Sequence, residues 1–233
     1  MNNANPLIAK AEQVIGYFFK NKNFLSQAFV HRSFINENRN KQLVSNERLE
    51  FLGDAVLELV ISSFLYEHFP NLSEGQLTKL RAWVVCEDSI SAVSKSLNLS
   101  SFLSMGKGEL LSGGLMKNSI LGDLFEAVIG AIYLDGGLDS AKEFILRCLQ
   151  QDAEAKAKDL WLSDCKSHLQ EYTQKARNSA PVYTTIEELG PPHQRIYRVE
   201  VSVNGQKVGF GEGNSKKEAE QCAAGQAIKF LKI

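Results

Sequence analysis

The sequence has no uninterrupted apolar run near the roughly 20 residues that a membrane-spanning helix needs, so no membrane partner is expected. Its first twenty residues mix Asn, Lys and Glu with apolar side chains, which is not the pattern of a secretory leader. Cysteine is scarce. Cys86, Cys148, Cys165 and Cys222 stand far apart and make neither a CxxC pair nor a zinc spacing, which points to reduced structural thiols and a cytoplasmic location. Excess charge of either sign is missing too: the formal net charge is -1, which argues against a nucleic-acid binder driven by bulk charge alone. That average hides a small asymmetry, because residues 161–233 carry +2 and the remainder -3. Internal repeats and low-complexity tracts are absent. With 44% hydrophobic residues in 233, the chain can bury a normal core in one large domain or two smaller ones.

Apolar residues recur at helical spacing through Ala9–Phe19, Leu49–Phe69, Leu77–Leu97, Ile120–Leu134 and Ser140–Leu149. Turn signals fall at Pro70-Asn71, from Gly106 to Gly114, and at Asp135-Gly136-Gly137. Residues 151–160 are polar and Ala-rich, and are expected to extend the preceding helix or to link two domains, 1–150 and 161–233. Beyond them Ser163–Arg177 reads as a helix, and Val182–Leu189, Ile196–Val203 and Val208–Gly213 read as strands. Asn204-Gly205 is a hairpin turn signal. Ser215 to Leu231 is a second helix, with Ser215 and Glu218 at capping-box spacing. The expected fold class is therefore an all-α N-terminal domain followed by a small α+β domain of order α-β-β-β-α.

The chemistry is concentrated in Asn46 to Glu58. At about 100° per residue, Glu47, Glu50, Asp54 and Glu58 fall within an arc of roughly 80° on a helix that is otherwise almost wholly apolar. A solvated face is the bland reading. Solvated faces usually mix signs, however, and no Lys or Arg shares this stripe. Between Ser119 and Leu134 the only charges are Asp123 and Glu126, three apart on one face of a segment apolar all round. Carboxylates in such surroundings need a cation, and the sequence offers no obvious Lys or Arg for them. If Asp123 and Glu126 meet Glu50 and Asp54, four hard oxygen donors converge without His or Cys. That selects Mg²⁺ or Mn²⁺ over zinc and suits phosphodiester chemistry. Glu74, next to the N-cap candidate Ser73, reads by itself as a first-turn acid favoured by the helix dipole.

The run NERLEFLGD (46–54) resembles the characteristic motif of the ribonuclease III family. HRS (31–33), LSEGQLTKLR (72–81), GKGE (106–109) and SILGDLFEAVIGAIYLDGG (119–137) match the family in order, so the resemblance spans nearly the whole chain. It implies a metal-dependent endoribonuclease that cuts both strands of double-stranded RNA, leaving 5′-phosphate and 3′-hydroxyl ends. Processing of ribosomal RNA precursors and structured messenger RNA would be its work. It implies Glu50, Asp54, Asp123 and Glu126 as metal-binding carboxylates, with Asp54 and Glu126 catalytic, and Glu47 and Glu74 as auxiliary acids. It implies a homodimer through the nuclease domain. Glu58 falls outside the family's set, and His31 is expected to support the core by hydrogen bonds rather than act as a base.

The α-β-β-β-α segment resembles a double-stranded RNA-binding domain. Gln170 and Glu171 match residues that reach one minor groove, and Gly190-Pro191-Pro192-His193 matches the loop that enters the next. Lys216 and Lys217 match residues that face phosphates between the two grooves. Two lysines at a helix start oppose the helix dipole, which a phosphate would offset, although a solvated pair is the plain alternative. The competing overall reading is a non-catalytic RNA-binding protein on a degenerate nuclease fold.

Overall fold

Gly16, with φ at +70°, takes a left-handed conformation that ends helix α1 (Pro6–Ile15) four residues before the apolar periodicity does. The structure is a computed structural model that describes residues 6–38, 43–177, 179–191 and 195–233, with residues 161–164 and 177 described by backbone alone. It divides into two compact units, Met1–Lys156 and Ala157–Ile233.

The first unit is helical. After α1 come α2 (Lys22–Ala28), α3 (Arg32–Glu37), α4 (Glu47–His68), α5 (Glu74–Val84), α6 (Glu87–Ser96), a 3-10 turn (Leu99–Phe102), α7 (Lys107–Leu111), a second 3-10 turn (Gly114–Met116) and the start of α8 (Asn118–Arg177). The apolar stretch Leu77–Leu97 is split into α5 and α6. Cys86 is extended there, and Glu87 and Asp88 fill the first turn of the new helix, where its dipole favours acids. At Asp135-Gly136-Gly137 only Gly137 leaves helical geometry. Asp135 accepts hydrogen bonds from the Tyr17 hydroxyl and the backbone N–H groups of Lys20 and Asn21, tying the segment after α1 to α8.

Helices α4 and α8 are the core of this unit. Val56, Leu57, Val60, Ile61 and Leu65 from α4 are buried, as are Leu121, Leu124, Phe125, Val128, Ile129 and Ile132 from α8. Each large side chain so buried stabilises the unit by about 1.5–3 kcal/mol before entropy is set against it. The two helices cross in backbone contact. A Cβ on Gly53 would meet the Glu126 carbonyl oxygen at 1.8 Å, and one on Gly130 would meet the Leu49 carbonyl oxygen at 2.2 Å.

In the second unit β1 (Val182–Leu189), β2 (Ile196–Val203) and β3 (Gln206–Gly213) form an antiparallel sheet in the order β1-β2-β3. Asn204 and Gly205, at φ of +51° and +76°, make the hairpin turn, so β3 begins two residues earlier than its apolar pattern suggests. Val199, Val201 and Val203 pack with Cys165 and Leu169 of α8 and with Ala219, Ala223 and Ala227 of α9 (Lys216–Leu231). Gly209 and Gly211 let β3 lie directly on α9: a Cβ on either would strike an α9 backbone carbonyl at 2.3 or 2.2 Å. Among the described residues no helix is long and apolar enough to cross a membrane.

Candidate metal centre and nucleic-acid interface

The Gly53–Gly130 crossing decides where the acids meet. Glu50 and Asp54 flank Gly53 on α4, and Glu126 supplies the carbonyl that Gly53 packs against. Ligand atoms of Glu50, Asp123 and Glu126 all lie within 4.8 Å of one another. All three side chains are half-buried, so their charges are poorly hydrated. Burial, and then the charges of Asp54, Asp123 and Glu50, push the Glu126 carboxyl up to about 8. Burial, reinforced by Asp123 and Glu47, raises Glu50. Burial, reinforced by Glu87, raises Asp123. Asp54 is exposed and stands outside the tight group of three, but its charge is the largest single one acting on Glu126. Carboxylates this close and this desolvated lack positive charge. An all-oxygen donor set with that deficit fits a hard divalent cation.

Further segments close the cleft. The Asn46 N–H donates to the Val30 carbonyl at 2.9 Å, which sets the start of α4 beside the start of α3. His31 N-caps α3: its Nδ1 accepts from the Ser33 N–H at 3.3 Å and contacts Ser33 Oγ at 2.7 Å. Ser33 Oγ in turn accepts from the Gly106 N–H at 2.9 Å, and Glu37 accepts from the N–H groups of Lys107 and Gly108. His31 thus has the hydrogen-bonding role expected of it, and burial pushes its pKa down. The segments HRS, NERLEFLGD, GKGE and SILGDLFE therefore contribute His31, Arg32, Glu47, Glu50, Glu109 and Asp123 to one cleft.

Cations stand in that cleft, but among the described residues none forms an ion pair with Glu50, Asp123 or Glu126. Arg32 approaches Glu47 at 3.5 Å, and Lys117 pairs with Glu109 at 2.6 Å. Arg32 comes from another helix and Lys117 lies ahead of α8, so neither shows in the periodicity of the acidic helices. Glu87, which acts on Asp123, was hidden in the same way at the start of α6. Glu47 also accepts from Ser45 Oγ at 2.8 Å. Glu58 pairs with Arg81 of α5 at 2.9 Å, which separates it from the cluster. Glu74 lines a different cavity with Tyr66, Leu72, Leu77 and Arg81, and accepts from Thr78 Oγ1 at 3.1 Å. Ser73 and Gln76 complete a capping box at the start of that helix.

Two family models match. One described as ribonuclease-III-like covers residues 21–153, and one described as a double-stranded RNA binding motif covers residues 165–231. The chain belongs to the ribonuclease III family. Ribonuclease 3 of Anoxybacillus flavithermus is 45% identical over 95% of this chain and 92% of its own length. Ribonuclease 3 of Enterococcus faecalis is 45% identical over 97% and 98%. Among solved structures, a nuclease domain of ribonuclease III from Campylobacter jejuni aligns with a TM-score of 0.57 and 46% identity, over 62% of this chain and 96% of its own. That structure's description refers to a region involved in dimer formation.

The double-stranded RNA-binding motif of this ribonuclease III family member carries the remaining candidates. Gln170 and Glu171 are exposed, and Glu171 faces Lys175 at 3.9 Å. Lys216 is held: its Nζ lies 2.9 Å from Glu188 Oε1 and over the Tyr197 ring at 5.6 Å. Glu188 also takes Arg195 at 3.1 Å. Lys217 is exposed beside Glu212 and Gln221. His193 lies outside the described residues.

Proposed function

We propose that Glu50, Asp54, Asp123 and Glu126 hold the divalent cation with which this chain, a double-stranded RNA endoribonuclease, hydrolyses the phosphodiester bonds of both strands, leaving 5′-phosphate and 3′-hydroxyl ends. The observation that carries the reading is the meeting of three half-buried carboxylates within 4.8 Å, with Glu126 pushed up to about 8. Mg²⁺ is the cation proposed and Mn²⁺ its substitute. Bound there, it would supply Lewis-acid stabilisation of the phosphate and of the attacking and leaving oxygens. The chain's own part is to keep Glu50, Asp123 and Glu126 half-buried and mutually repelling beside the exposed Asp54, with Arg32 offsetting only part of the repulsion. Until a cation shares the site, Glu126 retains its proton near neutral pH. Asp54, exposed beside Glu126, is proposed to face incoming substrate and to form the catalytic pair with Glu126.

Residues 1–150 are proposed as the nuclease domain, 151–160 as its connection and 161–233 as the double-stranded RNA-binding domain. In the latter, Gln170, Glu171 and His193 are proposed to contact minor grooves, and Lys216 and Lys217 the intervening phosphates. Dimerisation through the nuclease domain, a cytoplasmic location, and ribosomal and messenger RNA precursors as substrates complete the reading. Auxiliary roles are proposed for Glu47, in the same cleft, and for Glu74 in its separate cavity. The non-catalytic alternative is not favoured, because a degenerate fold has no reason to keep mutually repelling acids half-buried. Incubation of the purified protein with a long RNA duplex tests the proposal: shortening with Mg²⁺ and none in EDTA is expected, and intact RNA in both would overturn it.

A further inference from the structure

The cleft that gathers the carboxylates also has a cationic side. Arg32, the first residue of α3, and Lys117, just before α8, line it together with Glu47, Glu50 and Asp123. The two cations differ in how far they are engaged. Lys117 Nζ lies 2.6 Å from Glu109 Oε1 and 3.3 Å from Ser112 Oγ, close contacts that occupy its charge. Arg32 has one ion pair among the described residues, to Glu47 at the long distance of 3.5 Å, and its side chain is 69% exposed. A guanidinium has five N–H donors in a planar fork, and that single long contact engages few of them among the described residues.

The root of the side chain is nevertheless fixed. His31 immediately before it caps α3, and Ser33 immediately after it bonds to Gly106 across the cleft wall. Arg32 is thus a long, anchored arm with a largely uncommitted head. Its charge reaches the inner acids, where it opposes the effect of burial on both Glu50 and Asp123. A mere counter-ion would settle against the most desolvated carboxylate, Glu126. Arg32 instead stands beside the outer acid Glu47, where a polyanion entering the cleft first meets repulsion.

We infer that Arg32 binds a phosphate of the RNA in this cleft, its guanidinium donating to non-bridging oxygens and offsetting the repulsion between the backbone and the carboxylates. The planar fork matches phosphate geometry in a way that a lysine ammonium reproduces only as a point charge. The inference rests on the reading of this cleft as the cleavage site.

The test uses the full chain with Arg32→Ala and Arg32→Lys. On an RNA duplex with Mg²⁺, Arg32→Ala is expected to lower kcat/KM by about tenfold or more, and Arg32→Lys to recover part of the loss. Binding of the same duplex in EDTA, followed against salt, should show a log–log slope flatter by about one unit for each Arg32 engaged. Mn²⁺ affinity of the RNA-free protein should hold or rise in Arg32→Ala, since a positive charge has left the cleft. Unchanged kcat/KM and an unchanged slope would overturn the inference. So would a fall in melting temperature or Mn²⁺ affinity sufficient to account for the loss. If the wild-type protein leaves the duplex intact, the cleavage reading fails, and the salt slope in EDTA still decides whether Arg32 touches phosphate.

Discussion

A Cβ on Gly53 would lie 1.8 Å from the carbonyl oxygen of Glu126. Two helices 73 positions apart in sequence thus meet backbone to backbone, at the point where each presents its acids. The contact leaves no space for a methyl group, and no flexible side chain can give way. Gly53→Ala is therefore expected to force α4 from α8, at a cost of about 3 kcal/mol or more in stability, and to remove cleavage even at temperatures where the protein stays folded. Thermal denaturation and duplex cleavage of the variant check both parts. A variant that melts and cuts as the wild type does would mean that the crossing is looser than described.

Stability of the metal-free protein should fall as pH rises from about 4.5 to about 8. Glu126 is raised from 4.5 to about 8 in the folded chain, so over that interval the unfolded chain gives up a proton that the folded chain keeps. Burial of a carboxyl that must eventually ionise thus destabilises the fold at the alkaline end. Glu50 and Asp123, raised in the same direction, add to the trend. Melting temperatures in EDTA across this range should decline, Glu126→Gln should flatten the decline, and Mg²⁺ should reverse it at the alkaline end. A melting temperature independent of pH in both proteins would contradict the desolvation described for the cluster.

The first unit runs to Lys156, into the polar stretch 151–160, and contacts of that stretch fasten it to the unit. Lys156 Nζ donates to the Trp83 carbonyl at 2.8 Å and pairs with Asp152, while Ala153 is fully buried. A chain ending at residue 160 should fold as a nuclease unit that binds RNA poorly at physiological salt and cuts at low ionic strength. One ending at residue 150 should be less stable by about 1–2 kcal/mol, having lost these bonds. Equal melting of the two truncations would show that Lys156 adds nothing to the unit.

How much of this was legible in the sequence depended on whether the signal was local. The strands β1 and β2, the Asn204-Gly205 turn and the acids at positions 47, 50 and 54 were readable, because alternation, positive-φ residues and helical spacing are properties of a few neighbouring residues. The cluster's membership was readable only as a condition, since the meeting of α4 with α8 depends on Gly53 and Gly130 seen in three dimensions. Arg32, Lys117 and Glu87 were not legible as neighbours of the acids, because each arrives from a different segment. The isolation of Glu58 by Arg81 was hidden for the same reason. Its position beside Ser73 places Glu74 at a helix terminus, and the capping box and separate cavity agree with that local role.

The lysines at the start of α9 should not contribute equally. Lys216 already shares its charge with Glu188, whereas Lys217 has no ion pair among the described residues. Lys217→Ala is expected to weaken binding to unrelated RNA duplexes alike and to flatten the salt slope by about one unit. Glu188→Gln, which frees Lys216 and removes an anion, should tighten binding and steepen the slope. A salt titration on two duplexes reads both effects. No change in either variant would make these residues solvated surface.

The central claim is that the carboxylates of α4 and α8 form the cleavage site, and Glu126→Gln tests it most directly. The substitution keeps the side chain's shape and one acceptor oxygen while removing the metal-ligand charge. Cleavage of a long RNA duplex in Mg²⁺ and binding of the same duplex in EDTA should be measured side by side for the wild type and the variant. The account predicts that the wild type cuts, that the variant's cleavage is lost, and that the two bind alike. Cleavage by Glu126→Gln at the wild-type rate would contradict it.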